Sequence, residues 1–441
     1  MKIGAVELDQ PFALAPMAGM TDTAFRRLVK RHGGCGLVVS EMVSSEGLVR
    51  GIDRTLEYAE YTEEERPVSI QIFGGDPEIM ASAAQVVEGM GADIIDVNMG
   101  CPVRKIAKHN AGCSLMREPE HAARVVRSMA KAVSVPVTVK MRAGWDESAI
   151  NAPLVAEMMQ DAGAAAVAVH GRTASQSYRG QSDWELINQV ADGVEIPVFG
   201  SGDCITPEQV VSRISTTKVA GVLVGRGALR NPWIFQQALA ILRGEARVEI
   251  NAADRGQFLL DYIELLLREG TGEMSGFRHT VPTLQKTPGK ISQTTRSHRS
   301  RQRFVVNKLR ALGSWFTKGI HGGSQLRVEI NSAESVNELR DVVGTTLLAC
   351  DPLDERGKRA RHHLEGRAVD DQPGRNVHDR LGLDEAVFLQ RLPGRHQIDD
   401  APAQSQLRRK FHGPVELDAF GLHPAGGEVA LGQGRILGRH A

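Results

Sequence analysis

The sequence predicts an α/β fold: a (β/α)8 TIM barrel over residues 1–243, a small helical domain over 244–343 carrying a basic loop at 279–302, and a disordered tail over 344–441. Three observations predict it. Eight short apolar runs alternate with longer amphipathic ones from Phe12 to Arg243. Beyond Arg243 only helical periodicity remains, and beyond Gly344 no periodicity is sustained. Eight strand–helix units in that length match a (β/α)8 barrel in number and size. The alternative is a doubly wound open sheet. That fold usually has fewer strands, and no Gly-x-Gly-x-x-Gly follows the first apolar run here.

The eight runs lie at residues 12–15, 36–39, 68–73, 93–97, 135–140, 166–170, 196–200 and 220–224. Most are rich in Val and Ile, as strands of a parallel sheet buried on both faces are. Helical patterns fall between them at 77–90, 120–132, 152–162 and 183–191. Asp76-Pro77, Glu118-Pro119 and Thr206-Pro207 supply helix-start chemistry, because proline in the first turn forfeits no intrahelical bond. After the barrel, residues 258–268, 304–316 and 335–343 read as three helices. The stretch 279–302, rich in Thr, Ser, Pro, Lys and Arg, reads as a loop. The tail has no Trp and no Tyr, and its apolar residues are too scattered to offset the entropy of ordering it. It is either a disordered natural extension or, the favoured reading, sequence that did not evolve as coding sequence, such as a shifted frame.

Composition constrains function less. Lys+Arg and Asp+Glu both total 53 in 441 residues, so net charge gives no hint of a nucleic-acid partner and only charge distribution can. Met1-Lys2-Ile3-Gly4 lacks the apolar run of a signal peptide, and no stretch approaches the ~18–20 apolar residues of a membrane span. Cys35, Cys101, Cys113, Cys204 and Cys350 form neither a paired framework nor a zinc spacing. A cytoplasmic protein without membrane contact or metal is expected. No protein partner is implied, and a monomer is expected.

In a barrel of this kind the active site lies at the C-terminal ends of the strands. The first run ends in Pro16-Met17-Ala18-Gly19, and the third carries Gln71. The fourth ends in Asn98-Met99-Gly100-Cys101-Pro102, the fifth in Lys140-Met141-Arg142 and the sixth in His170-Gly171-Arg172. The seventh and eighth end in Gly200-Ser201-Gly202-Asp203 and Gly225-Arg226-Gly227. Glycines in the last two turns let backbone N–H groups approach an anion, as at a barrel's phosphate site; either turn alone reads equally as a tight connection. Lys140, on a buried strand, needs an anionic partner: a core carboxylate or a bound anionic ring. Cys101 is either a small core residue or, beside Asn98 and facing Lys140 and Arg142, a chemical group. The basic loop 105–115, which contains Cys113, is a lid or a solvated loop. His170 is a core histidine or a ligand contact, and Gln176, Tyr178 and Arg179 follow in its loop.

The helical part has its own charge feature. Residues 274–328 contain no Asp or Glu, yet hold Arg278, Lys286, Lys290, Arg296, Arg299, Arg301, Arg303, Lys308, Arg310, Lys318 and Arg327. An acid-free run of this kind, with Trp315 and Phe316 interleaved, points to a polyanion. A solvated loop accounts for part of it, but less well for Lys308, Arg310 and Lys318, on or beside a helix.

Taken in order, the motifs resemble those of the tRNA-dihydrouridine synthases, most of all the bacterial B-type branch. They are Phe12-Ala13-Leu14-Ala15-Pro16-Met17-Ala18-Gly19-Met20-Thr21-Asp22, Ser40-Glu41-Met42, Gln71-Ile72-Phe73-Gly74 and Asp96-Val97-Asn98-Met99-Gly100-Cys101-Pro102. Val139-Lys140-Met141-Arg142-Ala143-Gly144-Trp145, Val169-His170-Gly171-Arg172-Thr173, Val224-Gly225-Arg226-Gly227-Ala228 and Leu312-Gly313-Ser314-Trp315-Phe316-Thr317-Lys318-Gly319 complete the set. The resemblance covers about residues 10–345 and implies reduction of a tRNA uridine to 5,6-dihydrouridine, with FMN as cofactor and NADPH or NADH as reductant. It implies FMN contacts at Pro16, Met17, Ala18, Gln71, Lys140, His170, Ser201, Gly202, Asp203, Gly225 and Arg226. It implies Cys101 as catalytic acid, Asn98, Arg142, Arg172 and Gln176 as substrate contacts, and a helical domain that grips tRNA. One departure is Ser201, where the family often has Asn; backbone amides make much of that contact. Two further readings fit the motifs less fully: a barrel flavoenzyme acting on a free small pyrimidine, and a non-catalytic RNA-binding protein.

Overall fold

The computed structural model describes residues 1–107, 110–269, 278–279 and 298–348. Lys108, His109, most of the expected basic loop and the tail beyond Leu348 lie outside the described residues.

All eight expected strands form, and they close into a ring. Phe12–Leu14 pairs with Gly221–Val224 on one side and with Leu37–Val39 on the other, and Leu37–Val39 pairs on to Val68–Phe73. Ile94–Met99, Val137–Arg142, Ala166–His170 and Val198–Ser201 follow in chain order, every pair parallel. An open doubly wound sheet would leave two unpaired edges, whereas this ring leaves none.

Strand periodicity divides the side chains. On the fifth strand Val137, Val139 and Met141 are at most 2% exposed and pack between sheet and helices. Thr138 and Lys140 alternate with them and face the barrel interior. The inner layer below them is small and apolar, with Ala13, Ala15, Ala166, Phe199 and Leu223. Ile3 and Leu8, both 1% exposed, close its lower end from the hairpin Lys2–Ile3 and Val6–Glu7.

The helices start where their caps lie. Asp76 accepts from Glu78 N and Ile79 N at the head of Pro77–Gly89, and Thr206 forms a capping box with Gln209 at the head of Pro207–Thr216. Glu118, the third expected start, precedes Pro119–Ala132 without a side-chain cap bond.

Beyond the last barrel helix, Ile234–Arg243, come Ala252–Arg268, His298–Phe316 and Val336–Val343, and also Gly323–Ser332, a helix the sequence reading did not anticipate. They pack on the barrel rather than apart from it. Phe258 stacks on Phe316 at 5.3 Å and meets Phe25 of the barrel helix Thr23–His32 edge-on at 6.1 Å. The described chain also passes the boundary expected at 343. Gly344–Leu348 adds a turn whose Leu347 is 2% exposed. The turn rests on Gly256, where a Cβ would stand 2.8 Å from the Leu348 side chain, so a residue without one admits the contact.

Leu347→Ala should lower unfolding stability by about 2–4 kcal/mol, the usual cost of such a buried truncation. A chain ended after Val343 should melt below one ended after Leu348. Equal melting temperatures for the two truncations would show that the turn contributes nothing.

Candidate active site

The polar residues expected at the barrel mouth do converge there, and a buried carboxylate organises the third, fourth and fifth strands. Asp96 lies midway along Ile94–Met99 and is 6% exposed. It accepts from Thr138 Oγ1 at 2.6 Å and from Gln71 Nε2 at 2.7 Å. With its amide nitrogen spent on Asp96, Gln71 offers Oε1 to Asn98 Nδ2 at 2.7 Å. Asn98 then turns Oδ1 outward and accepts from Gly100 N and from Cys101 N, at 3.2 and 3.0 Å. The polarity of the relay is fixed from its buried end. Burial pushes the Asp96 carboxyl up, against the pull of Gln71, Thr138 and Lys140. Asp96 was not among the residues singled out in the sequence. Its signal was a carboxylate inside an apolar strand, two residues from Asn98 and hence on the same face.

Cys101, 8% exposed, sits at the end of this relay and is not in a disulfide. Its carbonyl accepts from Cys113 N at 3.1 Å. Gly112 makes that approach possible, because a Cβ there would lie 2.8 Å from Cys101 O and the backbone has φ of +62°. Cys113 itself is 1% exposed, and burial pushes its thiol up to about 11, which marks it as an inert packing residue.

Cations surround the opposite wall. Arg142, 3% exposed, donates Nε to Gly100 O at 2.7 Å and Nη1 to Thr173 O and Ser177 O at 2.9 and 2.8 Å. It ties the Cys101 loop to the loop after the sixth strand. Arg172, 2% exposed, grips both oxygens of Asp203 at 2.8 and 2.9 Å, donates to Arg179 O and Gly180 O, and reaches His170 Nε2 at 3.2 Å. The donor bonds described for these two arginines, expected as substrate contacts, are directed to protein. Asp203 also accepts from Ser182 N at 2.6 Å and lies 3.7 Å from Arg226. Against the burial that raises it, those partners hold its carboxyl below the usual range. Tyr178 lies under both Arg142 and Arg226, at 5.8 and 4.9 Å. Gln176 accepts from Thr173 N through Oε1 at 2.8 Å, which leaves its amide nitrogen directed away from that bond.

This field acts most on His170. Burial and the charges of Lys140, Arg142, Arg172 and Arg226 push its imidazole well below its ordinary value. It is neutral at neutral pH, and acceptance from Arg172 leaves its proton on Nδ1. The turns after the last two strands face the same space. Gly202 takes φ of +121°, and Gly225 heads Arg226–Arg230 without a side-chain cap bond to the first N–H groups of that turn.

The cations of the acid-free run separate into two kinds. Lys308 is 12% exposed and bound to Asp22 at 2.8 Å, so the expected polyanion contact does not hold for it. Its acidic partners come from the barrel, far away in sequence. Arg310 donates to Ala333 O and Arg327 to Thr317 Oγ1. Lys318 is exposed, 4.2 Å over the Trp315 ring. Partial burial and the field of Arg230, Arg327 and Arg226 push its ammonium down.

A histidine in the unfolded chain takes up a proton near pH 6.5, whereas His170 in the fold resists it. Stability of the protein should therefore fall as pH drops below about 6.5. His170→Gln should remove part of that slope in urea melts at about pH 7.5 and about pH 5. Identical slopes in the two proteins would contradict the neutral assignment.

The dihydrouridine synthase family matches residues 13–343 of the chain. The tRNA-dihydrouridine synthase B of Pseudomonas aeruginosa is 42% identical over 293 residues, covering 66% of this chain and 88% of that protein. Its namesake from Shewanella oneidensis is 39% identical over 279 residues, covering 63% and 86%. A probable tRNA-dihydrouridine synthase of Rickettsia bellii is 38% identical over 291 residues, covering 66% and 87%. The match spans barrel and helices alike, from the first strand to the end of Val336–Val343. By that match the chain belongs to the dihydrouridine synthase family.

Proposed function

We infer that this protein reduces a uridine of tRNA to 5,6-dihydrouridine, with FMN as cofactor and NADPH as reductant. The observation that carries the reading is the relay from Asp96 through Gln71 and Asn98 to Cys101 N, which holds one thiol at a cationic barrel mouth.

The residues fit an anionic flavin mononucleotide. Lys140, Arg142, Arg172 and Arg226 all bear on His170, and Asp203 bonds to Arg172 beside Arg226. The N–H groups of the turns at Gly202 and Gly225 suit a single phosphate. In this reading Lys140, Gln71 and the Pro16, Met17 and Ala18 segment would line the inner side, and His170 would offer an N–H from a neutral ring. When bound, FMN supplies the hydride, drawn from NADPH, that adds to uracil C6.

The protein's own residues supply the remainder. Asn98 holds one amide hydrogen on Gln71, and its Nδ2 otherwise meets the Met42 thioether at 3.7 Å, a weak acceptor that a uracil carbonyl can displace. Gln176 can hold the base from the other side. Arg142 acts through Gly100 and Ser177, and Arg172 through Asp203, so both are positioning residues in this reading. Cys101 gives its thiol proton to C5 and takes one back from water, so that the hydride and this proton together saturate the C5–C6 bond. The exposed Lys318, in the field of Arg230, Arg327 and Arg226, suits a phosphate chain, and the target uridine leaves its stack at a cost of a few kcal/mol. That cationic field is what favours tRNA over a free pyrimidine.

Heat release should yield FMN; recovery of FAD, or of no flavin, would sink the cofactor assignment. Cys101→Ala should keep its flavin and its bleaching by NADPH, yet lose about 10²- to 10⁴-fold in the recovery of flavin absorbance on adding tRNA. Cys113→Ala, which keeps the backbone bond to Cys101 O and removes only a buried thiol, should keep the wild-type rate. Stopped-flow absorbance separates the two phases. A wild-type rate in Cys101→Ala, or an equal defect in Cys113→Ala, refutes the role.

A further inference from the structure

The segment that follows the first strand makes a tight turn. Met20 N and Thr21 N donate to Met17 O at 3.0 and 3.1 Å, and Met17 N donates to Thr21 Oγ1 at 3.0 Å. Gly19 sits at the apex with φ of +78°, in the left-handed region. Both polar groups of the Gly19 residue are held from outside. Its N–H donates to Glu41 Oε2 at 2.5 Å, from the end of the second strand. Its carbonyl accepts from Lys308 Nζ at 2.8 Å, from the helix His298–Phe316. Lys308 closes the circuit on Asp22 at 2.8 Å and Glu41 at 3.5 Å. Asp22 in turn caps Thr23–His32 through Phe25 N and accepts from Tyr262 OH at 2.8 Å.

We propose that Lys308 is a positioning residue for the flavin site, fixing the Pro16, Met17 and Ala18 segment through the Gly19 carbonyl. The inference rests on the flavin reading above and adds to it a role for the helical domain at the cofactor. An ammonium only 12% exposed, with two carboxylates and a carbonyl around it, is a rigid junction, because it and its partners are largely withdrawn from water and losing one leaves the others poorly compensated. Glu41 and Lys308 pull on opposite ends of one residue, so its peptide planes are set jointly by the barrel and by the helical domain. Met17, 8% exposed, carries that setting to the eighth-strand turn: a Cβ on Gly225 would lie 3.4 Å from Met17 Sδ. The helices are therefore part of the cofactor site and not only a handle for nucleic acid.

Lys308→Met tests this by removing the charge and donors while keeping the stem. FMN affinity is read by quenching of flavin fluorescence, and the environment of the bound ring by visible circular dichroism. The dissociation constant should rise about tenfold or more, the change expected for a lost hydrogen bond to a charged donor, and the dichroism should alter. Tyr262→Phe is the structural control. It weakens the same interface at Asp22 but leaves Gly19 held, so it should lower the melting temperature while FMN binding and dichroism stay wild type. Lys308→Gln, which retains an N–H donor, should give an intermediate constant and serves if Lys308→Met does not fold. Wild-type binding and dichroism in the Lys308 variants would overturn the inference alone. An equal loss in Tyr262→Phe would overturn it as well, by reducing it to general stability. A wild-type protein that binds no FMN would overturn the flavin reading itself.

Discussion

The site depends on a carboxylate almost withdrawn from water. Asp96 faces the interior of a closed ring of strands, where an unpaired acceptor would be costly, so its neighbours must present donors to it. Thr138 and Gln71 do so. Each amide that spends its nitrogen on the partner below must show its oxygen to the partner above, until the last oxygen takes the Cys101 N–H. A buried acid three hydrogen bonds away thus orients the backbone at Cys101. Direct pairing of strands three, four and five puts these side chains in one layer, and closure of the barrel shields that layer from water.

Around that axis the loops are tied by charge across long stretches of chain. Arg142 joins the Cys101 loop to Thr173 and Ser177, Arg172 joins the sixth loop to Asp203, and Lys308 joins the helical domain to Asp22 and Glu41. Each cation is nearly buried and answered by carboxylates or carbonyls, the condition under which removing one partner leaves the other costly. The barrel mouth is consequently a set of loops locked to one another before any ligand arrives, which is the form of preorganisation that electrostatic catalysis requires.

Much of this was legible in the sequence, for a physical reason. A parallel barrel strand is short, apolar and repeated, so eight runs near 12, 37, 68, 94, 137, 166, 198 and 221 give both the ring and its mouth. The residues at the ends of those runs then fall together by geometry alone. Three things stayed hidden. Asp96 was passed over because hydrophobic runs are read as wholes, and one acid inside such a run is visible only when alternation is followed residue by residue. Lys308 was grouped with the polyanion-facing cations because no acid lies near it in sequence; its partners are 267 and 286 positions away, and local charge counting cannot see them. The helix Gly323–Ser332 was missed too, since it starts at glycines in a short, weakly patterned segment.

The central claim is that this cationic, thiol-bearing mouth reduces one uridine of tRNA. The most direct test maps dihydrouridine by mass spectrometry in tRNA from cells lacking this protein, before and after incubation of that tRNA with the purified protein, FMN and NADPH. The account predicts that at least one uridine position gains two hydrogens in the deletion-strain tRNA, and that free uridine supplied in its place stays unreduced. Full dihydrouridine content in the deletion strain, or equal reduction of free uridine, would contradict it.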